Sequence, residues 1–415
     1  MTHFTMNTSS LGQLGLSNPV GATSAVRDVR VSSFAVSVHC GGRELIDQFA
    51  DEWRELCGRA RNDQPYYRPE WIGAYFRAYY RRAKVMLFTV RMDGRLHLVL
   101  PMVRERRSFS KIPVRKLRTP VNSVADRFDA ICSAGSTGDR AIEALWEHLK
   151  LSQGWDLLQF QDALEGSVME RLACLAKAEG FSSIELPENP TTNVAIPSSI
   201  EEIGKQLPSN TRLRRQLRQI RREIGERGLP LNFRRIETFD LSALMRIYEL
   251  EASGWKGKEK TDILHSKRRP FLNDLAEAAS RSGYLTLYLL ELDNHLIAAH
   301  YGLTLRNCYY SIVVTYNENF KEFSPGHLII DEIVRDCARR GVTAFQPGGQ
   351  NQDWKLRWAS QLQPVKHHYI FRGRLGNLAY RVEAQFRPAI ARWVRDLVRA
   401  TKPRAHGSSP DGNEA

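Results

Sequence analysis

No stretch of this chain stays apolar for the ~20 residues that a membrane-spanning helix requires; the longest apolar runs, residues 96–103 among them, stop well short. Residues 1–26 are rich in Ser, Thr, Gly and Asn and have neither the basic start nor the apolar block of an export signal. The cytoplasm is therefore the expected location. Paired cysteines are also missing. The six thiols (Cys40, Cys57, Cys132, Cys174, Cys308 and Cys337) include no CxxC pair, and most stand in apolar stretches. That spacing resembles neither a zinc site nor a disulfide framework, so buried, reduced thiols and no bound metal are expected. Acidic residues are scarce: 60 Lys and Arg face 46 Asp and Glu, a net charge of +14. A surplus of this sign suits anionic partners (phosphorylated cofactors, nucleic acid or an anionic membrane surface) without choosing among them.

The 415 residues, 42% hydrophobic and 26% charged, are enough for two globular domains with tails. Residues 1–30 read as a disordered arm and 403–415 as a disordered tail. Between them one order of elements occurs twice. In the first copy Leu45, Phe49, Trp53 and Leu56 repeat at helical spacing, and an aromatic-rich helix is predicted over 71–82. Strands over 84–92 and 95–103 meet at Asp93-Gly94, a strong hairpin turn. A strand over 128–132, a helix carrying Ile142, Leu145 and Leu149, and a buried strand over 155–160 follow. A further helix opens at Ser167, with Glu170 at capping-box spacing.

The second copy begins at Asp240, which caps a helix bearing Leu241, Leu244, Met245 and Tyr248 on one face. Helix 271–280, a hairpin 284–292/295–305 through Asp293-Asn294, strand 308–315 and helix 326–340 come next. Strand 342–345, a short helix over 354–359 and strand 366–371 complete it. The predicted class is α/β (α+β): two domains, 31–195 and 196–374, each a mostly antiparallel mixed sheet flanked by helices. Residues 211–228 lie near the start of the second, with Arg at 212, 214, 215, 218, 221 and 222 and an apolar stripe of Leu213, Leu217, Ile220 and Ile224. This is either an amphipathic helix with a solvated basic face or a platform for phosphates of a cofactor or of RNA.

The clearest candidate site is the junction 316–330, a strand and loop leading into Ser324-Pro325-Gly326-His327 at the start of a helix. Ser324 suits the N-cap, Pro325 the first turn, and Gly326 close backbone approach. Unpaired amides and the positive dipole end at such a start favour a pyrophosphate, and Lys321 adds a cation upstream.

This stretch and its neighbours resemble the GNAT-fold acyltransferases, specifically the CelD/BcsL-like branch with its BioF-like acetyltransferase domain, and more distantly the FemAB peptidyltransferases. The residues that carry the likeness are Ser253-Gly254-Trp255-Lys256-Gly257, Ile297-Ala298-Ala299-His300, Tyr316-Asn317-Glu318, Phe323-Ser324-Pro325-Gly326 and Trp354-Lys355-Leu356-Arg357-Trp358. In the first half, Leu100-Pro101-Met102-Val103-Arg104 and Asp126-Arg127-Phe128-Asp129 join them. Relatives often carry an acid where this chain has Asn317.

The resemblance implies tandem GNAT-like domains, with acetyl-CoA or another acyl-CoA as donor substrate bound by the second. Ile312, Val313, Val314 and Thr315 would lie beside the pantetheine, and Lys321, Ser324, Gly326 and His327 at the phosphates. Attack of an amine on a thioester calls for a proton acceptor and oxyanion donors. His300, Glu318 and Asp126 are the candidate catalytic residues; a packed core histidine, a solvated carboxylate and a turn cap are the structural alternatives. Trp255, Lys256, Tyr316, Lys355 and Trp358 are the candidates for holding the acceptor. After 374, a basic amphipathic helix over 375–402 presents Val382, Phe386, Ile390, Trp393, Val394 and Leu397 on one face, suited either to an anionic membrane surface or to packing. Three readings stay open: a CoA-dependent acyltransferase acting on a sugar or an envelope or exopolysaccharide precursor, a FemAB-like transferase using aminoacyl-tRNA, and a non-catalytic module of a polysaccharide-synthesis complex.

Overall fold

A computed structural model describes residues 29–31, 33–122, 127–198, 211–348 and 353–386. The first half holds β1 (Val29–Val31), β2 (Phe34–Gly41), α1 (Glu44–Gly58), α2 (Pro69–Tyr79), β3 (Val85–Met92), β4 (Arg95–Phe109) and β5 (Ile112–Arg118). It continues with β6 (Ile131–Cys132), α3 (Gly135–Leu151), β7 (Leu157–Leu164), α4 (Val168–Ala178) and β8 (Ser182–Ala195). The second half holds α5 (Thr211–Glu226), β9 (Leu231–Ile236), α6 (Leu241–Ser253), α7 (Arg268–Arg281), β10 (Leu285–Leu292), β11 (His295–Leu305) and β12 (Cys308–Tyr316). It ends with α8 (Pro325–Arg339), β13 (Ala344–Gln346), β14 (Gln361–Phe371) and α9 (Gly373–Tyr380).

Local chemistry sets these elements. Asp93 and Gly94 (φ 51° and 76°) and Asp293 and Asn294 (φ 49° and 62°) put both central turn residues in the left-handed region. Two-residue hairpin turns of this hand match the twist of the flanking strands, and Met92 pairs with Arg95 and Leu292 with His295. Asp240 accepts from the amides of Ser242 and Ala243 and starts α6. Ser167 accepts from Glu170 N, while the Glu170 carboxylate returns to Gly166 N at 2.7 Å, one residue earlier than a capping box requires.

All fourteen strands join one sheet in the order β1-β2-β3-β4-β5-β7-β14-β8-β13-β12-β11-β10-β9, with β6 on β4. Pairing is antiparallel except for β5 with β7 and β12 with β13. The last strand of the second half thus sits between two strands of the first, while β8 reaches across to β13. On one face, equivalent helices of the two halves pack together: Phe271 of α7 meets Trp71, Tyr75 and Tyr79 of α2 at 5.1, 5.8 and 5.8 Å between ring centres. α6 and α7 share that core with α1–α4. α5 and α8 cover a separate core on the other side of the second half. The stripe Leu213, Leu217, Ile220 and Ile224 is buried there, as its spacing predicts.

Several sequence expectations need correction. Three thiols are buried, but Cys40 and Cys174 are exposed; all six are free. The strand expected over 128–132 is confined to Ile131–Cys132. The helix expected over 375–402 is described only as far as 386, as α9 followed by a π turn, Arg381–Phe386. Its remainder, residues 1–28 of the expected arm and the tail lie outside the described residues, and so does Asp126; Val29 and Arg30, the end of that arm, belong to β1. No helix among the described residues is long and apolar enough to cross a membrane.

Candidate active site

The site is made by two strands that separate. β12 pairs with β11 along its whole length, with one irregularity: Tyr301 faces Val313 and Gly302 faces Ser311, which leaves Ile312 as an extra, bulged residue. On its other edge β12 pairs with β13 only over Cys308–Tyr310. Beyond Tyr310 the two strands part, so the main chain of 311–316 has no strand partner on that side.

A cleft of about 510 Å³ opens in the gap. Its lining includes Ser311–Val314 and Tyr316 of β12, Ser324–His327 at the start of α8, and Pro347 and Gly348 after β13. Four charged side chains line it, Lys256, Arg268, Lys321 and Lys355, all of them cationic. No carboxylate is among the lining residues described. A cleft with that charge and a helix start at one end is built for an anionic ligand.

The helix start is more selective than its sequence implies. Ser324 is in the left-handed region (φ 46°, ψ 54°) and does not cap α8 with its side chain. Its hydroxyl instead accepts from Gln216 Nε2 of α5 at 3.1 Å. The amides of Ser324 and His327 are already committed, to Lys321 O and Ser324 O at 3.0 Å each, and Pro325 has no N–H. Gly326 is left as the residue between 324 and 327 whose amide makes no recorded hydrogen bond. A Cβ there would come within 3.3 Å of the Tyr316 ring. The expected cradle of several nitrogens is therefore one amide, the dipole end of a four-turn helix and Lys321, which has no carboxylate partner among the described residues.

His327 lines the cleft with a fixed tautomer. Trp358 donates its indole N–H to His327 Nδ1 at 3.1 Å. An indole nitrogen only donates, so Nδ1 is the acceptor and the neutral ring carries its proton on Nε2. Burial, and then the nearby Arg357 charge, lower the pKa of this histidine below its usual value. His327 therefore presents a hydrogen-bond donor.

Of the residues singled out in the sequence, Lys256, Val313, Val314, Tyr316, Lys321, Ser324, Gly326, His327 and Lys355 meet in this cleft. Lys355 is buried, with Nζ donating to Gly348 O and lying 5.5 Å from the Trp354 ring centre. Others stand elsewhere. Thr315 is buried and absent from the lining. Trp358 is in the core behind His327 and touches the cleft only through it. His300 is fully buried against Tyr309 and Phe345, with Nδ1 3.4 Å from Ser311 Oγ. Desolvation pulls its pKa down to about 3. This is the packed histidine, one layer behind the cleft. Glu318 is exposed on the 3-10 turn Glu318–Phe323 and lies near Gly254, outside the lining. The backbone of Trp255 belongs to the turn Trp255–Lys258.

Sequence reasoning missed Arg268 and Ser311. Arg268 stands in Lys267-Arg268-Arg269, a run that reads as a solvated basic patch. The signal that separates it from its neighbours is Glu251, a buried carboxylate on α6. Glu251 accepts from Lys256 Nζ at 2.8 Å and Ile263 N at 2.7 Å, and stands 3.6 Å from Arg268 Nη1.

The parted strand and the helix start both fall inside the span that a comparison of sequences assigns to a known domain. Residues 211–356 match the Acetyltransferase (GNAT) domain. No curated protein sequence matches the chain. Among solved structures, FemX is similar with a TM-score of 0.53 and 11% identity over 78% of this chain and 96% of its own. The C-terminal domain of a candidate lysylphosphatidylglycerol synthetase from Agrobacterium fabrum is similar with a TM-score of 0.50 and 10% identity, over 88% of this chain and 99% of that domain. At such identities the likeness is one of fold. The chain is a mixed α/β protein, one large sheet flanked by helices, and its second half carries the GNAT-type acyltransferase fold.

Proposed function

We propose that the second half binds an acyl-CoA, acetyl-CoA in the simplest case, between β12 and β13 and passes the acyl group to an amine or hydroxyl. A sugar or an envelope or exopolysaccharide precursor is the acceptor class we favour, in keeping with the CelD/BcsL-like resemblance. The observation that carries this reading is the cationic cleft opened where β12 leaves β13, with the start of α8 at its edge. The bound donor supplies an activated thioester. The unpartnered edge of 311–316 suits the amides of a pantetheine arm, much as a sheet edge receives an added strand. Lys321, the Gly326 N–H and the His327 Nε2–H face the phosphates. The bulge at Ile312 frees a main-chain N–H for the developing oxyanion. Glu318, an exposed carboxylate near Gly254 on the loop that carries Lys256, is the group we assign to the acceptor's proton.

One observation favours a second reading. Arg212, Arg214, Arg215 and Arg218 on α5 form no ion pair with a described carboxylate, whereas Arg221 is held by Asp331 and Glu332 at 2.6 and 2.5 Å. α5 also reaches the cleft mouth through Gln216 and Ser324. Four unpaired guanidinium groups beside a donor site suit a polyphosphate backbone, as an aminoacyl-tRNA donor would present. Calorimetric titration with coenzyme A and with tRNA separates the two readings. Micromolar coenzyme A binding supports the acyl-CoA donor. Salt-sensitive tRNA binding that is lost on reversing the four arginines, with no coenzyme A binding, replaces it.

A further inference from the structure

The cations of the cleft come from both faces of the sheet. Lys321 and the α8 start belong to the side covered by α5 and α8. Lys256 and Arg268 come from the connection between α6 and α7, helices of the opposite face. A single diphosphate at the α8 start accounts for the first set and leaves the second without a task.

The second set is organised. Lys256 and Arg268 are each about a quarter exposed and share the buried Glu251 carboxylate between them. Both cations are thus held toward the cleft by one buried acid. Glu251 also ties down the loop between them through Ile263 N at 2.7 Å. Surface cations that merely pair with an acid do not need that acid to be buried and clamped to the main chain. Arg268 shows a further sign of a missing partner: its Nε is buried and makes no hydrogen bond among the described residues. A buried guanidinium N–H without an acceptor is costly unless a ligand supplies one.

We infer that Lys256 and Arg268, set in place by Glu251, form an anion subsite for the acceptor. The acceptor is thus an amine or alcohol that carries a carboxylate or phosphate in the same molecule. This rests on the proposed acyl transfer: the acceptor N–H or O–H attacks the thioester carbon, the new C–N or C–O bond forms as the C–S bond breaks, and the displaced proton ends on the departing thiolate. The two-sided charge gives each reactant its own anchor, and the acceptor nucleophile meets the thioester at the parted strand. Glu251 is a positioning residue. Lys256 and Arg268 bind.

The test is calorimetry on the full chain, with coenzyme A saturating the donor end and either inorganic phosphate or acetate as probe. The native protein is expected to bind one of the two anions, and the better probe tells phosphate from carboxylate. Arg268→Gln and Lys256→Gln are each expected to weaken that binding roughly tenfold or more. Arg268→Lys should restore part of it, and coenzyme A affinity should change less than about twofold, as for loss of a contact the donor does not make. Lys321→Gln should show the opposite pattern. If neither anion binds, or if Arg268→Gln binds them as the native protein does, the subsite is wrong. If coenzyme A itself does not bind, the donor reading fails; the anion titration of the unliganded Arg268→Gln and Lys321→Gln proteins still decides the subsite. Superimposable melting curves guard against misfolded variants.

Discussion

Replacing Gly326 by valine is expected to weaken coenzyme A binding by roughly 10- to 150-fold while leaving the fold intact. Pro325 has no N–H, and the amides of Ser324 and His327 are bonded internally, so on the proposed donor reading the Gly326 N–H makes the direct main-chain contact, which the valine side chain would screen from the phosphate. A hydrogen bond to a charged acceptor contributes about 1.5–3 kcal/mol, which is the quoted range of affinity. The added Cβ meets the Tyr316 ring at 3.3 Å. That ring is 47% exposed and can swing aside, toward the space the donor needs. The backbone of Gly326 has an ordinary negative φ, so the substitution adds little strain. The assay is calorimetric titration with coenzyme A, beside thermal melting of both proteins. An unchanged Kd with an unchanged Tm would place the diphosphate elsewhere and refute the reasoning. A collapse of Tm would mean that the Tyr316 contact is structural.

Two more outcomes follow from His300 and His327. The folded pKa of His300 is about 3 against an ordinary 6.5, so in acid the unfolded chain takes up the proton first and stability falls as pH drops below about 6.5. Between pH 7 and 5 the stability of the native protein should fall relative to His300→Gln by about 2 kcal/mol, at 1.36 kcal/mol for each pH unit below 6.5, read from urea midpoints at the two pH values. A constant difference between the two proteins would show that His300 is not sealed from solvent. For Trp358→Phe, nitrogen-15 spectra of His327 should change from the pure Nε2–H tautomer to a mixture, with coenzyme A affinity lowered about tenfold or less by the loss of one oriented donor. Finding the native proton on Nδ1 would sink that assignment.

The helices and hairpins were legible because their signals are local. Asp93-Gly94 and Asp293-Asn294 fix two turns through main-chain geometry alone, and the Leu213–Ile224 stripe announces which face of α5 is buried. β5 and β8 were not read. β5 (Ile-Pro-Val-Arg-Lys-Leu-Arg) mixes its apolar residues with cations and a proline, and β8 carries Pro187 and Pro190 in a polar sequence. Their stability comes from neighbours distant in sequence. The donor end of the site was visible because Lys321 through His327 are contiguous. Of the opposite wall only Lys256 was, since Glu251 and Arg268 gain meaning only once α6 and α7 bring a buried carboxylate between two cations. His300 and Trp358 misled for a related reason: residue type and position near a motif do not reveal depth. Spacing cannot tell a side chain that lines a cleft from one that supports it.

The placement of β14 between β7 and β8 bears on how the chain must be made and cut. During synthesis the first half emerges with two facing strand edges and no strand to fill the gap until residues 361–371 leave the ribosome. These contacts join residues far apart in sequence, and such contacts are slow to form. A nascent or truncated chain ending before residue 361 exposes β7 and β8 as open edges, which invite pairing with other chains. A fragment beginning at α5 has the converse defect, with β14 bare on both sides. Dissecting this protein into separate halves would therefore yield aggregating pieces, since the inner strands find their partners only within the span 29–371 taken together.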